Sequence, residues 1–236
     1  MFNNNYGNER RLKARFIGVD IATGQAQDYT ALCLIDQFEE KILKDSFEDT
    51  YETIEKYRIT DLQRTRDLNL DLQVQWLRSY IEALRDPKPA YISIDCTREL
   101  GTCLNLRTAL PGYRVAGVVW TGGSKISREG LKYTASKPQT MQDLKGFVSL
   151  GRLTVANIPL RDELVRELEG FTLEDNPTGG LSIKPPTGHD DLAMALAACC
   201  VPLFERRILE RMAPRAIPNP FQYQQVVYIG ANHEQV

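Results

Sequence analysis

The chain has 236 residues, 42% of them hydrophobic and 25% charged, with a net charge of −2 at neutral pH. This balance is ordinary for a globular domain able to bury a core without disulfides, and it excludes a disordered or collagen-like chain. No run approaches about eighteen apolar residues and no apolar stretch follows Met1, so neither a membrane span nor a secretory signal is expected and the setting is read as intracellular.

The cysteines (Cys33, Cys96, Cys103, Cys199, Cys200) are odd in number and lack CxxC spacing. Most sit in apolar stretches, where a thiol behaves as a small hydrophobe. With His189 and His233 as the only histidines, structural zinc is not expected and the thiols are read as reduced. Charge is segregated along the chain. From Arg98 to Arg152 nine lysines and arginines stand against three acids, whereas from Asp36 to Asp71 eleven acids stand against six bases. Such an arrangement can build a basic face on a near-neutral protein, although solvated surface can also be asymmetric.

In chain order, residues 1–15 are polar, Asn-rich and basic, and read as a leader or linker. Phe16 to Ile21 is an apolar run containing an aspartate and suits a buried strand, as do Thr30 to Ile35 and Lys41 to Phe47. Residues 48–70 are charged and irregular, which predicts a helical excursion or long loop. Val74, Leu77, Ile81 and Leu84 make one apolar stripe and predict a helix over 70–86, stopped by Pro87 and Pro89. Tyr91 to Asp95 alternates like a strand and again ends in aspartate. A helix over 99–109 is broken by Pro111-Gly112, and Arg114 to Trp120 is a further strand. Pro138 suits the first turn of a helix closed by Gly151, after which Arg152 to Ala156 reads as a strand. Leu160, Leu164 and Leu168 mark another helix, and Thr178-Gly179-Gly180 reads as the tip of a hairpin. From His189 to Cys200 an Ala-rich helix is apolar nearly all round and should be buried. The domain is set at 16–212, with 213–236 a Pro-rich, aromatic and irregular tail.

Three antiparallel strands followed by strands alternating with helices make an α/β fold. The expected architecture is an RNase H-like mixed sheet flanked by helices, with an added β-hairpin. Its candidate chemistry is acidic. Asp20 and Asp95 each terminate an apolar strand, and Asp190-Asp191 open the Ala-rich helix. A carboxylate beside a core is costly unless its charge is compensated. Carboxylates gathered from adjacent strands would raise one another's pKa, and hard divalent cations with oxygen preference would remove that repulsion. Two such ions would suit in-line displacement at phosphorus. Simpler roles compete: aspartate is a favoured N-cap, and Asp28 lies in a polar turn. A Walker motif and a GxSxG elbow are both absent; Gly122-Gly123-Ser124-Lys125 has P-loop residue types without the spacing.

Gly18-Val19-Asp20-Ile21-Ala22, with Gly24, Asp28 and Thr30-Ala31, resembles the first motif of the nuclease domain of tailed-phage large terminase subunits. Ile92-x-Ile94-Asp95 resembles the second and Gly188-His189-Asp190-Asp191-x-Ala193-x-Ala195-Leu196-Ala197 the third. Leu150-Gly151-Arg152-Leu153 and Glu167-Leu168-x-x-Phe171 are similar to the family's middle region. The resemblance covers residues 15–205 and implies a metal-dependent endonuclease that cuts concatemeric viral DNA during genome packaging. It implies Asp20, Asp95 and Asp190 or Asp191 as catalytic ligands of two Mg²⁺ or Mn²⁺ ions, with Asp28 accessory.

The partners so implied are double-stranded DNA, a packaging ATPase domain, a small terminase subunit and the portal, with no membrane. The place of action would be the host cytoplasm rather than the mature virion. The motor is then either a missing N-terminal domain or a separate chain. Phosphate contact is expected from Arg128, Lys132, Lys137, Lys145 and Arg152. The alternatives are a Holliday-junction resolvase or transposase-like nuclease, and a non-catalytic DNA-binding module of a packaging complex.

Overall fold

Between Arg10 and Asp20 basic and apolar residues alternate and then give way to Phe16-Ile17-Gly18-Val19, the pattern of a strand running from solvent into a core. A computed structural model describes residues 10–22, 29–45, 50–66, 69–86, 88–97, 100–123, 125–175, 181–184 and 188–212. Asp28, the leader residues 1–9, the Thr178-Gly179-Gly180 turn and the tail 213–236 lie outside them.

The elements are β1 (Arg10–Asp20), β2 (Thr30–Asp45), β3 (Thr50–Thr65), α1 (Leu70–Ala83), β4 (Pro89–Asp95), α2 (Leu100–Ala109) and β5 (Val115–Thr121). There follow β6 (Ile126–Glu129), β7 (Lys132–Ser136), α3 (Lys137–Ser149), β8 (Leu153–Val155), α4 (Arg161–Gly170), β9 (Thr172–Asp175), β10 (Leu181–Lys184) and α5 (Asp191–Met212). The main sheet has the order β6-β7-β5-β4-β1-β2-β3-β8. Strand β2 is antiparallel to both β1 and β3, β4, β5 and β7 run parallel to β1, and β8 runs parallel to β3. This is the expected RNase H-like mixed sheet, and β9 and β10 supply the added hairpin as a separate pair.

Alternation along the central strands sorts the core into two layers. Ile17, Val19, Leu32, Leu34, Ile92 and Ile94 face α1 and α2, where Leu77, Ile81 and Leu106 close the layer. Phe16, Ala31, Cys33 and Ile35 face the other way and pack with α3, α4 and α5. Each fully buried leucine or isoleucine of this kind contributes about 1.5–3 kcal/mol. Residues 191–204 of α5 are all buried, because the helix lies flat across the sheet and is then covered by α3 and α4. Its approach is set by Gly18. A Cβ there would fall 1.9 Å from the Ala195 carbonyl oxygen and 2.6 Å from the Cys199 Cβ, so glycine alone admits the helix at this depth.

Four features depart from the sequence reading. Strand β1 begins at Arg10, so residues 10–15 are strand rather than leader; Leu12 and Ala14 are half-buried while Lys13 is exposed. The second and third expected strands are one continuous β2, and the charged segment 48–70 is mainly β3 rather than a loop or helix. A bulge between Ile59 and Asp61, opposite Leu34 and Ile35, explains why the strand was illegible. It lets Tyr57, Ile59 and Leu62 all enter one core, which breaks the two-residue period that identifies a strand. The β6–β7 hairpin was not anticipated, since β6 is four residues long and mostly exposed.

Candidate metal centre

The fold brings together acids from three distant segments. Strands β1 and β4 are parallel, with Gly18 opposite Ser93 and Val19 opposite Ile94; one further step sets Asp20 beside Asp95 on adjacent strands. Parity turns both the same way. Asp20 shares its face with Gly18, and Asp95 shares its own with Ser93, so both look toward α5. Helix α5 crosses that face at Gly18, and its N-terminus carries Asp190 and Asp191 to the same end of the sheet. Their convergence is electrostatically evident. Burial pushes the Asp20 carboxyl well above its usual range, the negative charges of Asp95, Asp191 and Asp190 push it further, and Lys137 opposes them.

Each of the other acids has found its own partner. Asp95 Oδ1 accepts from the Thr97 backbone N–H at 2.9 Å and from the Thr97 hydroxyl at 2.6 Å, and Trp120 Nε1–H donates to Asp95 Oδ2 at 2.8 Å. Lys137 Nζ lies 3.3 Å from Asp190 Oδ2, and His189 Nδ1 lies 3.5 Å from Asp191 Oδ2. Among the described residues no three Asp, Glu, His or Cys side chains are close enough to clasp one ion. The donor set nonetheless fits a hard divalent cation, being all carboxylate oxygen, and Asp20 carries a repulsion that such a charge would relieve.

The competing role for Asp190 and Asp191, capping α5, is largely taken by another residue. Glu167 on α4 accepts the Ala193 backbone N–H at 2.9 Å and pairs through its other oxygen with Arg64 on β3. Asp190 contributes its backbone carbonyl, which accepts from Met194 N–H at 2.8 Å. Glu167 is buried and its carboxyl is pushed up to about 7. Burial is the main cause and Asp191 adds to it, against the Ala193 N–H and the Arg64 charge. Glu167, Thr97 and Trp120 were all missed as site residues. Thr97, two positions after a strand-end aspartate, carried a local signal, because short polar side chains at that offset close turns; Trp120 carried none.

Of the five cations expected at DNA, Lys137 reaches the acids directly, its Nζ lying 3.3 Å from Asp190 Oδ2. Strand β7 runs toward the carboxylate end of the sheet and Lys137 follows its last residue. Lys132 and Arg128 fall within one register step of Asp95 but two and three strands away from it, and the Arg128 guanidinium lies 3.7 Å from Glu205. Arg152 precedes β8, which runs toward the carboxylates, so it lies at the far end. Lys145 is exposed along α3, beside a cavity of about 590 Å³ walled also by Met141, Leu144 and Phe171.

The sheet is RNase H-like, with acids at the ends of its first and fourth strands and at the start of its last described helix. Among solved structures the fold is that of phage large terminase nuclease domains. The large terminase nuclease from thermophilic phage G20c is 21% identical over 79% of this chain and 81% of that chain, with a TM-score of 0.54. The large terminase nuclease domain of Thermus phage P74-26 is 19% identical over 79% of this chain and 78% of that one, with a TM-score of 0.51. A second G20c structure, with bound magnesium, is 21% identical over 79% of each chain at a TM-score of 0.50. No family model matches the sequence, and no curated protein matches it.

Proposed function

We propose that this chain is the nuclease of a viral DNA-packaging terminase, a metal-dependent endonuclease that cuts double-stranded DNA. The observation that carries the reading is the convergence of Asp20, Asp95, Asp190 and Asp191 from three distant segments, felt at Asp20 as a raised carboxyl pKa. The likeness in fold to terminase nucleases, one of them with bound magnesium, supports it.

Asp20, Asp95 and Asp190 or Asp191 would hold two Mg²⁺ or Mn²⁺ ions, with Asp28 accessory. Divalent ions so held supply an activated water and charge neutralisation for in-line displacement at phosphorus. The chain's own residues do the positioning. Trp120 and Thr97 fix the Asp95 carboxylate, and Glu167 takes the α5 N–H that an aspartate would otherwise cap. Lys137 pairs with Asp190, neutralises part of the acidic charge and would contact the backbone phosphate at the cut. The substrate is double-stranded DNA with little sequence preference, contacted through phosphates. The partners are a packaging ATPase, a small terminase subunit and the portal, and the place is the host cytoplasm.

The test is nicking of supercoiled plasmid in Mn²⁺ by the wild type and by Asp95→Ala. Wild-type cutting that the variant abolishes supports the reading. An inert wild type, or an Asp95→Ala protein that cuts equally well, overturns it. Preference for four-way junctions over linear duplex would move the assignment to a resolvase.

A further inference from the structure

The carboxylate end of the sheet has cations on two flanks. Lys137 follows β7, two strands beyond Asp95 on one side. On the other side β3 lies two strands beyond Asp20 and, being antiparallel to β2, runs in the same direction as β1. Thr65 pairs with Thr30, so Arg64 and Arg66 sit at the same end as the acids. At about 4.8 Å per strand each flank is roughly 10 Å from its nearest aspartate-bearing strand.

The two arginines differ. Arg64 is half-buried and gives its charge to Glu167, whereas Arg66 is exposed and has no acidic partner among the described residues. Both guanidiniums lie against the Tyr29 ring, 4.6 Å and 3.9 Å from its centroid for Arg64 and Arg66 respectively. The same ring meets His189 edge to face at 4.9 Å, and His189 Nδ1 is 3.5 Å from Asp191. An exposed arginine usually loses much side-chain freedom on binding. Stacking on an aromatic ring removes part of that freedom beforehand and leaves the planar donors for an anion.

Resting on the nuclease reading above, we infer that Arg66, held by Tyr29 beside His189, is a backbone-phosphate subsite for double-stranded DNA on the β3 flank of the acidic cluster. It binds a phosphate next to the one being cut, opposite Lys137. Acidic clusters repel polyanions, so a flanking cation on each side is what lets a duplex settle over them. Arg66 lies outside the basic stretch that the sequence singled out, in a segment that is acidic on balance.

The experiment is a fluorescence-anisotropy titration of a duplex oligonucleotide over a salt series, with calcium present to screen the carboxylates. Arg66→Gln is expected to weaken binding about tenfold and to lower the slope of log affinity against log salt by about one. Tyr29→Ala should give an intermediate loss. The matched control is Arg114→Gln. Arg114 is also exposed and also lies over a tyrosine ring, 5.7 Å from the Tyr91 centroid, but precedes β5 at the far end of the sheet. Its variant should bind as the wild type does. Thermal unfolding of Arg66→Gln should match the wild type, which separates a lost contact from a lost fold. A wild type that cuts DNA, together with an Arg66→Gln protein of unchanged affinity and salt slope, overturns the subsite alone. A wild type that neither binds nor cuts DNA overturns the nuclease reading and the subsite with it.

Discussion

The Glu167 carboxylate accepts the backbone N–H of Ala193 at 2.9 Å, joining α4 to the first turn of α5. Its second oxygen holds Arg64, so three elements meet on one side chain beneath the aspartates. Glu167→Ala would leave a buried N–H and a largely buried guanidinium without their partner. The expected loss is about 3 kcal/mol, read from urea unfolding, and a loss under about 1 kcal/mol would contradict the clamp.

Asp20 is the acid most opposed by its surroundings. Asp20→Asn removes one like charge from the cluster and nearly preserves volume. The metal-free variant should therefore melt a few degrees higher than the wild type, about what 1 kcal/mol produces in a domain of this size. It should also lose the stabilisation that Mg²⁺ or Mn²⁺ is expected to give the wild type. A variant that melts lower and still gains stability from metal would show Asp20 to be merely structural.

Both raised carboxyls make the metal-free protein lose stability as pH rises. A folded-state pKa above the ordinary value means that the folded chain holds the proton more tightly, so the benefit is complete below the ordinary value and lost as pH rises through the raised one. For Glu167 the window runs from 4.5 to about 7, and Asp20 acts in the same sense. With chelator present, the urea midpoint should be higher near pH ~5 than near pH ~7.5 from these two groups. Divalent cations should reverse the trend and release protons on binding, which calorimetry in buffers of different ionisation enthalpy detects.

Trp120 donates its indole N–H to Asp95 Oδ2 at 2.8 Å, and its backbone N–H donates to the Thr97 hydroxyl at 3.0 Å. Trp120→Phe should keep the fold and the backbone bond while freeing one oxygen of Asp95. Outer-sphere partners of metal-binding carboxylates are worth about 10–100-fold in affinity, so calorimetric metal binding should weaken by that order. Equal metal affinity in the two proteins would remove Asp95 from the centre.

Gly18 controls the depth of α5. Gly18→Ala drives a methyl group into the Ala195 carbonyl, and a backbone clash of this kind has no flexible neighbour to absorb it. The expected destabilisation is about 3 kcal/mol or more, measured by chemical denaturation. It should be accompanied by weaker metal binding, as Asp190 and Asp191 move away from Asp20.

The sequence by itself determined the acidic end of the sheet. Phe16 to Asp20 and Tyr91 to Asp95 are short apolar runs closed by a carboxylate, and their two-residue alternation decides which side chains share a face. The Ala-rich run after Asp191 likewise determined a buried helix, since no polar stripe is left to meet water. These are local facts, set by strand and helix periods over a few residues.

Only the tertiary structure decided the rest. Strand β3 became legible once its bulge was set against β2. Glu167 became a cap once α4 was laid across α5. The direction of β8 sent Arg152 to the far end of the sheet, that of β7 left Lys137 at the acids, and that of β3 brought Arg66 there from an acidic segment. Charge acts through space with a reach of several ångströms, so its partners are set by strand direction and packing rather than by position along the chain.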